Sequence, residues 1–446
     1  MQKPGRSPQA FFNLQLAQIF SFVVVIIFML FTLFHNIDKN MIGYMTDLIM
    51  SDFKISHTEM GLVFTGALII SVVFQPLWGY LFDKYARNKL IALASLIWGF
   101  TTWLSILPRD FLSFLAARTS TGVDDLCYPG INSMLSDYFK PQERGKAYGI
   151  VSSAIFLGTL LGGIVALIVG RAMGWRTAYY LTGATGIVMA LLIYLLVKEP
   201  FRGISEPEME GLETISTYKL SLEKFRSGLK RKTVIFLWLQ NFFGIFPWQI
   251  LTFWMFKYLL DIRMFSESYA TILMTTWIGI MFLGNILGGV IGDLLFKYWK
   301  KGRVAFCCII AFLSGIIIYI AISASDPLCF IILACIAYLL LPMAGPNVTA
   351  TFYDVLEPEV RSVVPSIGGI FSNMGGAFAP LVAGVLADIY GLSFAIMVPS
   401  MITWFICSIF FLLATLYVEK DMEALRRVMR ERAMLERQKS KHEDSH

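Results

Sequence analysis

GYLFDKYAR at residues 79–87 and GVIGDLLFK at 289–297 carry a glycine, an acid and a base at matching offsets. They are Gly79, Asp83 and Arg87 in the first stretch and Gly289, Asp293 and Lys297 in the second. Each stretch closes a long apolar run. A second pair of motifs repeats in the same way. KPQER (140–144) places Pro141 three residues before Arg144, and EPEVR (357–361) places Pro358 three residues before Arg361. The chain is therefore an internal repeat, each half carrying its own polar loops between apolar segments.

The medium around those segments follows from composition. The 446 residues are 57% hydrophobic and 15% charged, where a soluble domain carries about 25% charged residues. Spanning a bilayer core takes roughly 20 apolar residues per helix, and only helices or closed barrels satisfy the backbone there. The apolar runs are long and continuous rather than alternating, so the expected fold class is an all-α membrane protein. Twelve spans are expected, at 18–50, 59–82, 89–107, 111–139, 146–170, 177–197, 233–260, 267–296, 304–324, 328–355, 362–388 and 393–418. The apolar stretch after MQKPGRSPQ is too long for a cleaved signal and reads as the first span.

This gives an N-terminal six-helix bundle (1–198), a charged linker (199–232), a C-terminal six-helix bundle (233–418) and a charged tail (419–446). The second part of the linker reads as either an amphipathic helix on the membrane surface or a solvated loop, and the tail as a solvated helix. Two such bundles around a midplane site form the layout of a rocking carrier. Lys84, Arg87, Lys89, Lys140, Arg144, Lys146, the linker, Lys297, Lys300, Lys301, Arg303 and Arg361 crowd one face. The expectation is a multi-pass protein of the cell membrane with both termini cytoplasmic. The net charge of +6 is thus a topology signal and not a nucleic-acid one. The six cysteines have no CxxC spacing, and no metal site or disulfide frame is expected. Without a phosphate-cradling loop, a nucleophile elbow or a metal cluster, neither an enzyme nor a cofactor is expected.

The informative residues are charges inside apolar runs, where each costs roughly 2.5–3.5 kcal/mol on insertion scales. Asp38 and Lys39 lie in the first span, Arg118 and Asp125 in the fourth. In a continuous helix Arg118 and Asp125 share a face about 10.5 Å apart. The fourth span runs opposite to the first, which puts Asp38 and Arg118 at similar depth. A carboxylate beside an arginine stays ionised until its partner is removed, a way to tie proton uptake to conformation. The arginine serves as counter-ion or as a fork for an anionic ligand. Asp124 adjoins Asp125, so either is a candidate proton carrier and the two would titrate together if they interact strongly. His35 lies one turn before Asp38. Asn241 and Trp248, beside Pro247, suggest a broken, cavity-lining seventh span, and Tyr128 is a further lining candidate. Lys257 is placed to snorkel to the interface.

The 79–88 stretch resembles the signature G-x-L-x-D-[RK]-x-G-R-[RK] of the major facilitator superfamily through Gly79, Leu81, Asp83, Lys84 and Arg87, with Ala86 and Asn88 departing from it. The resemblance implies that Gly79, Asp83, Arg87 and, in the echo, Asp293 gate the cytoplasmic side. HNIDKN (35–40) and RTSTGVDDLCYP (118–129) resemble motifs of Spinster-like lipid transporters and of anion:cation symporters. Here Lys39 replaces arginine, Asp125 replaces glutamate, and Asp124 stands where a small residue is usual. This implies a proton-coupled carrier using Asp38, Asp125 or Asp124, with Arg118, Lys39, His35, Tyr128, Asn241 and Trp248 meeting the substrate. A lysolipid-like amphipathic anion is the leading expectation and a sugar-acid-like organic anion the next. A non-transporting sensor or scramblase on the same scaffold is the third. The expected partners are that substrate, protons and membrane lipids, with the chain acting as a monomer.

Overall fold

A computed structural model describes residues 8–55, 57–123, 127–212, 218 and 220–443. Among them all regular structure is helical. The helices are α1 (Pro8–Tyr44), α2 (Thr46–Phe53), α3 (His57–Lys84), α4 (Arg87–Leu104), α5 (Phe111–Ser120), α6 (Tyr128–Tyr138), α7 (Arg144–Val165), α8 (Arg171–Met173) and α9 (Trp175–Leu196). They continue with α10 (Leu222–Leu229), α11 (Lys232–Asp261), α12 (Glu267–Tyr298), α13 (Gly302–Ser323), α14 (Pro327–Leu340), α15 (Ala344–Val355), α16 (Val363–Tyr390) and α17 (Leu392–Glu443). Among the described residues, nine helical segments are long and apolar enough to cross a membrane. The other expected spans, 59–82, 89–107 and 111–139, coincide with α3, with α4 and with the pair α5–α6.

The repeat seen in sequence is also a repeat of packing. α1 lies on α7 as α11 lies on α16, and α4 lies on α9 as α13 lies on α17. Across the halves, α7 meets α12 and α3 meets α16. Even the irregularities repeat. The fourth span breaks through a 3-10 turn at Thr121–Val123 before α6, and the tenth breaks at Leu341–Met343 between α14 and α15. Pro129 and Pro342 sit by these breaks, where a proline removes one helix donor and crowds the preceding turn. Irregular backbone at membrane depth is tolerated where protein or a cavity surrounds it.

The same-face relation expected between Arg118 and Asp125 in a continuous helix falls outside the described residues, as do Asp124 and Asp125 themselves.

The linker and tail also differ from the simplest reading. The second part of the linker is a helix, α10, with Ser221 as N-cap accepting from the Lys224 amide. The first part is folded in, with Glu206 and Met209 buried. α17 runs 52 residues without interruption. Its extension buries Leu425, Met429 and Ala433 against Met209. An apolar stripe on an otherwise charged helix covers the linker instead of facing water.

Close approach of the halves rests on glycine. A Cβ on Gly289 would meet the Gly145 carbonyl oxygen at 2.2 Å, and one on Gly79 would meet Ser366 Oγ at 2.5 Å and Val363 Cα at 2.8 Å. Gly279, on the same helix as Gly289, faces open space. Gly289→Ala is therefore expected to cost about 1–3 kcal/mol through overpacking. Gly279→Ala should be neutral or slightly stabilising, because alanine favours helix. Thermal unfolding of the two purified variants measures the difference.

Candidate functional site

Two polar assemblies occupy the molecule, a latch at the face that carries the linker and a pair of cavities above it. The latch is built by the repeated motifs. Asp83, at the end of α3, accepts from the backbone N–H of Ser362 (2.9 Å) and Val363 (2.7 Å) at the start of α16. Asp293, near the end of α12, accepts from the N–H of Gly145 (2.9 Å) and Lys146 (2.7 Å) at the start of α7. The first N–H groups of a helix lack intrahelical partners and carry the positive end of its dipole. Each carboxylate thus caps a helix of the opposite half, in register, at the two residues following the motif arginine.

The arginines complete the latch. Arg144 reaches Asp354 (3.0 Å) across the halves and Glu206 (2.7 Å) in the linker. Arg361 pairs with Asp137 at 3.5 Å across the halves and with Glu206. Arg303 joins Asp293 and Asp354 within the second half and donates to the Pro141 carbonyl of the first. Arg87, expected at the gate, is fully buried at this face but turns inward. It binds Asp137 (2.6 Å), Glu199 (2.8 Å) and Ser133 (2.9 Å), all before the linker's folded-in segment. Asp137 and Asp354 were missed in the sequence, yet each precedes its motif arginine by seven residues, in DYFKPQER and DVLEPEVR. Burial pushes the Glu206 carboxyl up, but Arg144, Arg361 and Arg426 outweigh it and hold it well below the usual carboxylate range.

Above the latch, a cavity of about 510 Å³ lies between the halves. Its polar lining is uncharged: Gln75, Tyr128, Asn132, Gln240, Asn241 and Asn285 among others. Trp248 lines it too, and its ring meets Phe156 across the halves at 5.6 Å. The second cavity, about 670 Å³, lies toward the opposite face and holds the charges. His35, Asp38, Lys39 and Arg118 line it together with Gln249, Thr252 and Phe253 of α11.

Within it Asp38 is buried and held by three neutral donors: Thr182 Oγ1 at 2.6 Å, Thr102 Oγ1 at 3.1 Å and Trp98 Nε1 at 3.2 Å. Those three residues sit on α4 and α9 and gave no sign in the sequence, where they read as ordinary span residues. Arg118 is 6% exposed. Its guanidinium lies 4.9 Å from the Tyr179 ring centroid, and one terminal nitrogen has no hydrogen-bond partner among the described residues. Asp38 and Arg118 thus share a cavity as expected from their depth, but among the described residues they form no ion pair. His35 Nδ1 lies 3.1 Å from Tyr128 Oη, and its ring stands edge-on to Trp98 at 5.2 Å. This pair links the two cavities, since His35 lines one and Tyr128 the other. Lys257 lies apart, paired with Asp261 at the exposed end of α11. Such a cavity can take an anion against a desolvated guanidinium while a carboxylate beside it exchanges a proton.

Comparison with known proteins fits this architecture. The profile of the Major Facilitator Superfamily matches residues 24–380. The chain belongs to the major facilitator superfamily. It is thus a multi-pass helical membrane protein of a transporter family, not an enzyme. Among curated relatives of this superfamily chain, a hexuronate transporter of Bacillus subtilis is 26% identical over 382 residues, 82% of this chain and 87% of the relative. Protein spinster of Drosophila melanogaster is 36% identical over 183 residues, 41% of this chain and 30% of that protein. A crystal structure of a bacterial homologue of the human lysosomal transporter Spinster, inward-facing and unoccupied, matches with a TM-score of 0.55 at 19% identity, covering 95% of this chain and 99% of that one.

The latch geometry makes a measurable statement. Asp83→Asn replaces an acidic cap with a neutral one, at an expected cost of about 1–2 kcal/mol, and Asp293→Asn, which also breaks the buried pair with Arg303, should cost more. Lys140→Ala, which breaks the exposed Lys140–Glu210 pair, should cost well under about 1 kcal/mol. Thermal unfolding of the three variants side by side checks the ranking.

Proposed function

We propose that the protein is a proton-coupled secondary carrier of a small organic anion, working by alternating access, with its linker face in the cytoplasm. The observation that carries this reading is Arg118. A buried guanidinium with a nitrogen unpartnered among the described residues, in a cavity shared with Asp38 and Lys39, is costly unless a ligand supplies the missing acceptor. A carboxylate or phosphate fits the guanidinium fork. Asp38 is the proton carrier on this reading. Neutral donors surround it, so its charge changes without breaking an ion pair. An anion and a proton entering together leave the cavity's net charge unchanged, and closure of the bundle over them avoids burying an extra charge.

A small anion is favoured over a lysolipid by the clustering of charge. His35, Asp38, Lys39 and Arg118 share a space of about 670 Å³, the rest of whose wall, with Ile42, Val63, Trp98 and Phe253, is largely apolar. Whole-length similarity to the Bacillus hexuronate transporter points the same way. The lysolipid reading is supported by the higher identity to spinster over the shorter shared stretch. The Lys/Arg bias supports the proposed orientation in the cell membrane, and the pairings within each half support bundles at 1–198 and 233–418. Asp83 and Asp293, on their glycine-lined helices, are the gate.

The test is uptake into liposomes under an imposed inward proton gradient, with glucuronate and a lysophospholipid as probes. The parent should take up glucuronate faster with the gradient. Asp38→Asn should lose that acceleration while keeping anion exchange. Arg118→Leu should weaken binding at least tenfold, from a charged hydrogen bond of about 1.5–3 kcal/mol. Gradient-driven lysolipid movement instead would transfer the reading to the second substrate. If neither probe moves, the carrier gives way to a sensor or scramblase.

A further inference from the structure

Glu206 belongs to no repeated motif and sits in a run of charges, GISEPEMEGLE, that reads as solvated linker. In the folded chain it is 1% exposed and is the most heavily bridged carboxylate of the linker face. Arg144 of α7 holds Oε1 at 2.7 Å. Arg361, which leads into α16, donates to the same oxygen, and Arg426 of the α17 extension donates to the other. One side chain from the linker thus ties together the first half, the second half and the tail.

The tail is built to hold it there. Arg426 also reaches Glu208 at 3.0 Å. One face of the same helix packs Leu425, Met429 and Ala433 over Met209. Six residues past Arg426, Arg432 meets Glu359 at 2.6 Å, beside Lys224 of α10. The α17 extension therefore grips a buried carboxylate on the linker and another on the loop before α16. Because α17 is continuous from Leu392 to Glu443, this grip moves with the second half.

We infer that Glu206 is the hub of a third, non-repeated gate contact, in which linker and tail clasp the linker face shut and must release each time that face opens. The inference rests on the alternating-access reading and adds to it residues that the repeat does not contain. When the halves separate at this face, Arg144 and Arg361 part, and Glu206 cannot stay with both. Removing the carboxylate charge leaves buried guanidiniums facing one another without their shared counter-ion, which disfavours the closed face. Removing Arg426 takes the tail's cation off Glu206 and Glu208 while leaving the glycine-lined contacts and the two helix caps in place.

The experiment is pulsed electron-electron distance measurement on the full-length protein in nanodiscs. Spin labels go on cysteines placed at the exposed linker-face positions Lys89 and Lys300, with the six native cysteines changed to serine or alanine. The labelled parent should populate mainly the short, closed distance. Glu206→Gln and Arg426→Ala should each raise the ratio of long to short distances at least about tenfold, as truncating one partner of a buried pair implies. Lys140→Ala should match the parent. A chain ending at residue 421, which keeps every spanning segment, should behave as Arg426→Ala does and stands in if Glu206→Gln does not fold. Distributions for Arg426→Ala and the shortened chain that coincide with the parent's would overturn the clasp. So would an equal shift in Lys140→Ala. No substrate is needed, so a failure of the anion-transport reading would show in uptake and leave these distances untouched.

Discussion

Two carboxylates seated on the N-termini of helices from the opposite half set the state of this molecule. Asp83 caps α16 and Asp293 caps α7, each through two backbone N–H groups. These bonds need the backbones to touch, and Gly79, Gly145 and Gly289 let them. Everything on the linker face is arranged around that contact. The arginines that follow the PxxR spacing point from the capped helix ends into a shared layer of acids. The cavities above the layer are lined by residues of both halves.

A latch of this kind suits a carrier because its parts are individually modest. A charge at a helix end contributes about 0.3–2 kcal/mol, and buried ion pairs are weak net stabilisers once desolvation is counted. Closed and open faces can then differ by an amount that a bound ligand is able to offset. Glu206 differs in kind from the caps. The three guanidiniums keep it ionised far into acid, so it holds at any physiological pH. In the cavity, Asp38 meets hydroxyl and indole donors and, among the described residues, no cation.

The sequence made the fold legible because bilayer chemistry is simple: long apolar runs must be helices. It made the caps legible because glycine, acid and base keep their spacing over both halves. It also contained the seven-residue step from Asp137 to Arg144 and from Asp354 to Arg361, though only the folded chain reveals what that step does. The site was less legible. The 3-10 turn at Thr121–Val123 left no signature, since an apolar segment with small residues reads the same whether it breaks or continues. The expected Asp38–Arg118 relation came out as shared lining rather than an ion pair, because Thr102, Thr182 and Trp98 from α4 and α9 take the carboxylate. No local pattern foretold those partners. Glu206 was hidden for the opposite reason, since charged residues in a charged linker resemble solvated chain until tertiary contacts bury one.

The central claim is that an anion at Arg118 and a proton at Asp38 cross together. The most direct measurement is proton and anion flux counted in the same liposomes, with a pH-sensitive dye in the lumen and radiolabelled glucuronate outside. The account predicts that anion entry down its own gradient acidifies the lumen in a fixed proton-to-anion ratio, and that Asp38→Asn abolishes the acidification. Anion entry by the parent with no accompanying proton would contradict it.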